Sequence, residues 1–340
     1  MQKKNINKIN TEASQFLSLQ SAYALSTMFY FNFTKFTYVI QNVTYEKFII
    51  PKKNGGKRII ESPDENLQFI QKKINTYLQA IYFQNKPNEV YGFVQSVINE
   101  EHNHNIVTNA KNHIGKNYVL NIDLKDFFHS VSASRVRTLF QNAPFDYSED
   151  LSTCLALICC WNKRLPMGAS TSPVLSNFCC LELDNQLIEL SRKYDLTYTR
   201  YADDLTFSSN EKIAEEILNE IKTVISFNEF EINKKKVRLQ SKFKQQSVTG
   251  IKVNQKANVD RKYIRNIRAI LHDIKINGLE KATIKHYNAK EVSEKLVNTF
   301  YLSIAGKIAF VGQVRGKDDL IYTKLRQELN LFQHKLISNN

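Results

Sequence analysis

Tyr198-Thr199-Arg200-Tyr201-Ala202-Asp203-Asp204-Leu205-Thr206-Phe207 is the stretch that decides how this chain reads. Both flanks are rich in Thr, Tyr, Leu and Phe, which favour strands, and Ala202-Asp203-Asp204 forms the turn between them. The hairpin runs from Leu196 to Ser209. Two adjacent carboxylates at a hairpin tip repel each other, and the arrangement makes chemical sense with a hard divalent cation against them. An isolated pair of Asp residues is more often a solvated turn, so a second observation is needed.

It comes upstream, in Tyr118-Val119-Leu120-Asn121-Ile122-Asp123-Leu124-Lys125-Asp126, part of a strand predicted over Lys116 to Phe128. Successive side chains of a strand alternate faces. Tyr118, Leu120, Ile122 and Leu124 are expected to pack on helices, and Val119, Asn121 and Asp123 to face an open cleft. Asp123, Asp203 and Asp204, on two neighbouring strands, are then the donor set of a two-metal site with ions about 3.5–4 Å apart. Mg²⁺ suits it, since it prefers oxygen ligands and the company of phosphates.

The rest of the chain agrees in kind. Its 340 residues carry a formal charge of +14 and a hydrophobic fraction of 42%, enough for a sizeable core and a field that attracts polyanions. The charge is concentrated: residues 231–270 hold twelve Lys or Arg against Glu231 and Asp260. Such a patch suits a phosphate backbone better than scattered charge does. Five cysteines (Cys154, Cys159, Cys160, Cys179, Cys180) lie in or beside apolar runs without CxxC spacing. They read as reduced core thiols of a cytosolic protein, not as a zinc site. The N-terminus lacks signal-peptide character, and Tyr23 to Ile40 is too polar for a membrane span.

Short helices are expected over residues 1–40, then a hairpin over 44–61 turning at Asn54-Gly55-Gly56. A helix follows over 64–85, with Leu67, Ile70, Ile74, Leu78 and Ile81 on its apolar face. Helices are predicted at 134–142 and 148–161, a loop from Lys163 to Thr171, and one long helix from Pro173 to Tyr194. Next come a helix at 211–226, a strand from Ser247 to Val253, and C-terminal helices. Asp260 caps the first of these, with Ile264, Ile267, Ile270, Leu271 and Ile274 as its apolar stripe and Arg261, Lys262, Arg265 and Arg268 on other faces. Strands and helices mix without βαβ regularity, which predicts an α+β fold.

Tyr201-Ala202-Asp203-Asp204 resembles the Tyr-x-Asp-Asp box of reverse transcriptases, and the string from Arg200 to Ser208 resembles their bacterial, retron branch. Further segments fall in the family's order over about residues 44–315. Asn121-Ile122-Asp123-Leu124-Lys125-Asp126-Phe127-Phe128 resembles the first catalytic box. That match implies Asp123 as a metal ligand and Phe128 as the aromatic gate that crowds the sugar 2′ position. Leu165-Pro166-Met167-Gly168-Ala169-Ser170-Thr171-Ser172-Pro173 resembles the loop lining the incoming nucleotide. Met167 replaces the family's usual Gln, and Ser170 its frequent Pro; Gly168 permits close backbone approach. Pro51 to Ile60 resembles the fingers hairpin, which implies that Arg58 and Lys53 grip the triphosphate. Lys236 corresponds to a lysine that assists pyrophosphate departure, with Lys234 and Lys235 as rivals for that place.

Two segments resemble retron motifs in particular: Asn109-Ala110-Lys111-Asn112-His113, and Val248-Thr249-Gly250 ahead of the thumb. The resemblance implies a right-hand polymerase: an N-terminal helical extension at 1–43, fingers at 44–116, palm at 117–254 with a fingers insertion at about 131–165, and thumb at 255–340. It implies an RNA-directed DNA polymerase using two Mg²⁺ ions and deoxynucleotides. Such an enzyme copies a cognate structured non-coding RNA from an internal 2′-hydroxyl, leaving a branched RNA–DNA product used in anti-phage defence. The expected partners are that RNA, the RNA–DNA duplex and an effector protein encoded nearby, with no membrane. Tyr201, Asn109, His113, Val248, Thr249, Gly250, Arg261, Arg265 and Arg268 are the expected nucleic-acid contacts. The rival readings are another bacterial defence or group II intron-like reverse transcriptase, and a non-catalytic RNA-binding scaffold; the latter predicts eroded carboxylates, and all three are intact.

Overall fold

A computed structural model describes residues 4–51, 55–98 and 103–337. The chain divides into two compact units, Met1–Asn109 with Asn117–Leu239, and Ala110–Lys116 with Gln240–Asn340. This is a coarser partition than the fingers, palm and thumb expected from the sequence.

The first unit opens with three short helices, α1 (Ile6–Leu17), α2 (Ala22–Met28) and α3 (Phe33–Gln41), each started by a polar cap: Asn5, Ser21 and Asn32. The hairpin β1 (Tyr45–Pro51) and β2 (Lys57–Pro63) follows, antiparallel and in register from Tyr45↔Pro63 to Pro51↔Lys57. Gly55 and Gly56 both take positive φ at its turn, while Lys52, Lys53 and Asn54 lie outside the described residues, and with Lys53 one expected nucleotide contact. Helix α4 (Glu65–Asn85) is capped by Asp64, whose Oδ1 accepts from the amides of Asn66 and Leu67. Its Leu67, Ile70, Ile74, Leu78 and Ile81 are fully buried, each contributing about 1.5–3 kcal/mol of burial.

After α5 (Ile106–Lys111), which crosses from one unit to the other, come β3 (Tyr118–Asp123), α6 (Ala133–Gln141) and α7 (Glu149–Cys159). Then follow α8 (Ser172–Cys179), α9 (Leu181–Lys193), β4 (Thr197–Tyr201), β5 (Asp204–Ser209), α10 (Glu215–Phe227) and β6 (Arg238–Ser241). The sheet order is β4-β5-β3-β6, with β3 and β4 both antiparallel to β5.

Four expectations need correction. The single helix over 173–194 is two, broken at Cys180, whose amide is shared between the carbonyls of Ser176 and Asn177; no Gly or Pro announces it. Strand β3 ends at Asp123, because Asp126 enters the left-handed region (φ 47) and the chain turns. Val119 does not face a cleft: it is fully buried, so the sheet is covered on both faces at that end. The strand expected over 247–253 is a tight hairpin, β7 (Ser247–Val248) and β8 (Ile251–Lys252), turning at Thr249 and Gly250. Both turn residues have positive φ (47 and 82), which the primed hairpin turns require and a β-branched Thr resists.

The second unit continues with α11 (Arg261–Tyr287), α12 (Glu294–Arg315) and α13 (Leu320–Ile337). Asp260 caps α11 as expected, accepting from the Lys262 amide at 2.6 Å. Ile264, Ile267, Leu271 and Ile274 are buried and Ile270 half-buried, while Arg261, Lys262, Arg265 and Arg268 are exposed. Gly278 breaks α11 with φ 79 and ψ 163. Among the described residues no helix is long and apolar enough to cross a membrane.

Candidate active site

Strand register assembles the site. Asp204 opens β5 opposite both Asp123 on β3 and Tyr201 on β4. Asp203 completes the turn, and its carbonyl accepts from the Leu124 amide at 2.9 Å. The three carboxylates singled out in the sequence therefore share one end of the sheet.

Each carboxylate meets a different environment. Asp123 is 8% exposed and well partnered. Lys236 donates to its Oδ1 at 2.5 Å and Asn233 to its Oδ2 at 3.2 Å, and the Asn233 amide bonds its carbonyl at 2.8 Å. Of the three consecutive lysines it is Lys236 that reaches the site, and the bond to Asp123 raises its pKa. Asp203 is raised by burial and by the charge of Asp123, against the pull of Lys236 and Arg58. Asp204 is pushed up to about 6 by desolvation, then by the charges of Asp203 and Asp123. Asp204 also keeps an exposed flank.

Among the described residues no three His, Cys, Asp or Glu side chains are gathered tightly enough to hold one ion. At this end of the sheet a lysine ammonium lies on Asp123 instead. The donor set still fits a divalent cation. It consists of oxygens, two of its carboxyls resist ionising beside each other, and a positive group has already been drawn in.

Beneath the tip lies a second charged group that sequence reasoning missed. Arg200 is fully buried, and its guanidinium donates to Asp184 through Nε at 2.8 Å and Nη2 at 2.6 Å. Its Nη1 reaches Asn177 Oδ1 at 2.9 Å and the Ala202 carbonyl at 3.1 Å. Tyr198 donates its hydroxyl to Asp184 at 2.8 Å. The fork holds the turn from below, where Ala202 sits at φ 58. Gly92 closes the other side: a Cβ there would stand 2.4 Å from the Ala202 amide nitrogen, and the Gly92 carbonyl accepts from Asn177 at 2.9 Å. No local signal in the sequence ties Arg200 to Asp184, which lies on α9, or to Asn177, which lies on α8 beyond the break at Cys180.

Arg58 is exposed on β2, and its field reaches Asp203. Phe128 is half-buried, its ring 5.9 Å from that of Phe93 and 5.5 Å from that of Phe127. Met167 is half-buried and bonded through its backbone to Glu61. Gly168 does permit a close approach, and what approaches is protein: a Cβ would lie 2.4 Å from the Glu61 carbonyl oxygen. Tyr201 is half-buried at the β4 end.

The retron-like segments are more buried than nucleic-acid contacts would be. Asn109, His113 and Val248 are fully buried, so their side chains offer no surface to a polyanion, and Thr249 and Gly250 carry what exposure the turn has. Burial, and the nearby charge of Lys116, depress the His113 pKa to about 3, as for a neutral core histidine. Arg261, Arg265 and Arg268 are exposed on α11.

A sheet built on the antiparallel strands β4, β5 and β3 with three carboxylates at one end, and a separate antiparallel hairpin, is the arrangement of the right-hand polymerase fold. The reverse transcriptase (RNA-dependent DNA polymerase) family profile matches residues 50–253. The chain is 34% identical over 249 residues to the Retron Mx65 reverse transcriptase of Myxococcus xanthus, covering 67% of this chain and 55% of that one. It is 34% identical over 234 residues to the Retron Ec86 reverse transcriptase of Escherichia coli, covering 68% and 70%. It thus spans little more than half the length of the first and 70% of the second. Among solved structures, telomerase from Candida albicans with a fragment of telomeric RNA gives a TM-score of 0.48 at 9% identity, covering 89% of this chain and 65% of that one, too slight a likeness to bear on the fold. The chain belongs to the reverse transcriptase family, on its bacterial retron branch.

Proposed function

We propose that the chain is an RNA-directed DNA polymerase that copies a cognate structured non-coding RNA, primed from an internal 2′-hydroxyl of that RNA, to give a branched RNA–DNA product. One observation carries the reading: Asp123 and Asp204 are cross-strand partners and Asp203 is the turn beside them, inside the span that the family profile matches.

In this reading Asp123, Asp203 and Asp204 hold two divalent ions, Mg²⁺ by donor chemistry. When bound, the ions activate the attacking hydroxyl and neutralise charge on the phosphates. Arg58 pairs with the triphosphate through charge-assisted hydrogen bonds. Phe128 crowds the sugar 2′ position and Met167 with Gly168 borders the base. Lys236 moves from Asp123 to the departing pyrophosphate and gives it a proton from Nζ. Arg261, Arg265 and Arg268 follow a duplex backbone, whose A-like form is read by shape and charge. The protein works in the bacterial cytoplasm, its product serving anti-phage defence beside an effector encoded nearby.

The test is deoxynucleotide incorporation by protein copurified with RNA from its own locus, with Mg²⁺ present and Asp203→Asn/Asp204→Asn run alongside. A discrete, ribonuclease-sensitive, branched product absent from the variant is expected. Synthesis on added primer–template without a branched product overturns the self-priming part. No synthesis on either, with RNA still bound, overturns the polymerase.

A further inference from the structure

Segments carrying three of the expected nucleotide contacts converge on one carboxylate that neither the family boxes nor the metal site uses. Glu61 lies on β2, three residues after Arg58, and is 2% exposed. Arg164 approaches it as a fork, Nη1 to Oε2 and Nη2 to Oε1, both at 2.9 Å. The Met167 amide donates to Oε2 at 3.2 Å, and the Glu61 amide donates back to the Met167 carbonyl at 2.7 Å. Gly168 leaves room for the Glu61 carbonyl where any Cβ would collide. His129, the neighbour of Phe128, places Nε2 3.4 Å from Oε2.

The backbone repeats the connection. The Leu165 amide bonds the Val131 carbonyl at 3.0 Å, and the Ala133 amide bonds the Lys163 carbonyl at 2.8 Å. The turn bearing Phe128 and the loop bearing Met167 are thus stitched together beside the Arg164–Glu61 fork.

The hairpin needs such an anchor. Phe48, Ile49, Ile50 and Ile59 are 44–56% exposed, so the outer part of β1–β2 has little packing of its own. A lone two-stranded hairpin is marginal in water. Stability alone does not call for a buried carboxylate here, because burying a charge is costly and an apolar residue of similar size would serve as well. A multiply bonded carboxylate does fix geometry. Arg58 stands only three strand residues away, about 10 Å, so a tilt at Glu61 displaces it directly.

We propose that Glu61 is a positioning residue: through Arg164, the Met167 backbone and the backbone bonds that tie the Phe128 turn to the Met167 loop, it sets Arg58, Phe128 and Met167 into one nucleotide-receiving arrangement. This rests on the polymerase reading above. It specifies where loss of Glu61 is felt, in capture of the incoming deoxynucleotide and not in grip on the duplex.

The experiment compares wild type, Glu61→Gln and Arg164→Lys on an added primer–template. It measures KM and kcat for a deoxynucleotide, selectivity against the ribonucleotide, primer–template Kd and the melting transition. Arg164→Lys keeps the charge but loses the fork, so it decides the matter if Glu61→Gln does not fold. The expected result is a KM raised about 10–100-fold, the range for loss of a supporting partner behind a site. Ribonucleotide rejection falls with it, while primer–template Kd stays within twofold. A wild-type KM in the folded variants overturns the proposal. So does a loss of activity that merely tracks the unfolded fraction and weakened duplex binding. Absence of incorporation by the wild type overturns the polymerase reading itself, a different failure seen in a different lane.

Discussion

Arg200 and Asp203 are three residues apart on one hairpin, yet they solve the problem of burying charge in opposite ways. Arg200 is sealed from water and fully matched, its guanidinium taken up by Asp184, Asn177 and the Ala202 carbonyl. Asp203 and Asp204 face like charge, and both carboxyls are driven upward. The matched group is scaffold, whereas the mismatched pair is left with a repulsion that a bound cation would relieve. The contrast teaches that at this turn the residues proposed to be functional are the ones whose electrostatics the fold leaves unresolved.

The largest expected effect breaks the unresolved half. Asp203→Asn with Asp204→Asn removes incorporation by about 10³-fold or more, the scale of losing a main electrostatic stabiliser. The metal-free variant melts at or above the wild-type temperature, because repulsion has gone. A variant that fails to fold would collapse the comparison.

Breaking the matched half should do the reverse. Asp184→Asn leaves Arg200 buried without its countercharge and costs about 3–5 kcal/mol by denaturant titration. Asp184→Leu with Arg200→Met, which removes both charges, should cost less than either single change. If the double change costs the sum of the two, the pair is not a coupled unit.

His113 sharpens the contrast with a buried group that stays neutral. Its pKa is about 3 in the folded chain against 6.5 for the free side chain. Between those values the unfolded state binds the proton and the folded state does not. Its contribution is therefore whole above pH 6.5 and declines as pH falls toward 3. Melts from pH 4 to 7 should show a slope that His113→Gln flattens, and an unchanged slope would assign acid sensitivity elsewhere. The smallest effect is Ala202→Gly, which relieves a left-handed Ala (φ 58) and should raise stability by about 1 kcal/mol in the same titration.

Much of this was legible in the chain because it depends on near neighbours. The hairpin tip, the Asp260 cap and the apolar face of α4 are all set by residues within a turn or two of one another. The break at Cys180 was not, since no Gly, Pro or other local breaker marks it. The left-handed turn at Thr249 escaped for a related reason: a β-branched residue argues against the conformation it adopts. Arg200 with Asp184, and Glu61 with Arg164, are pairs 16 and 103 residues apart, and only the fold reveals that they meet.

The thiols have a practical consequence. All five cysteines are free, four are buried, and burial raises every one, Cys179 to about 11 and Cys154, Cys159 and Cys180 to about 12. At neutral pH almost none is thiolate, the form that maleimides and iodoacetamides attack. A single cysteine engineered onto an exposed position of the β1–β2 hairpin would take a fluorophore in the native background. Whether that hairpin moves when a deoxynucleotide is added could then be followed in real time without disturbing the core.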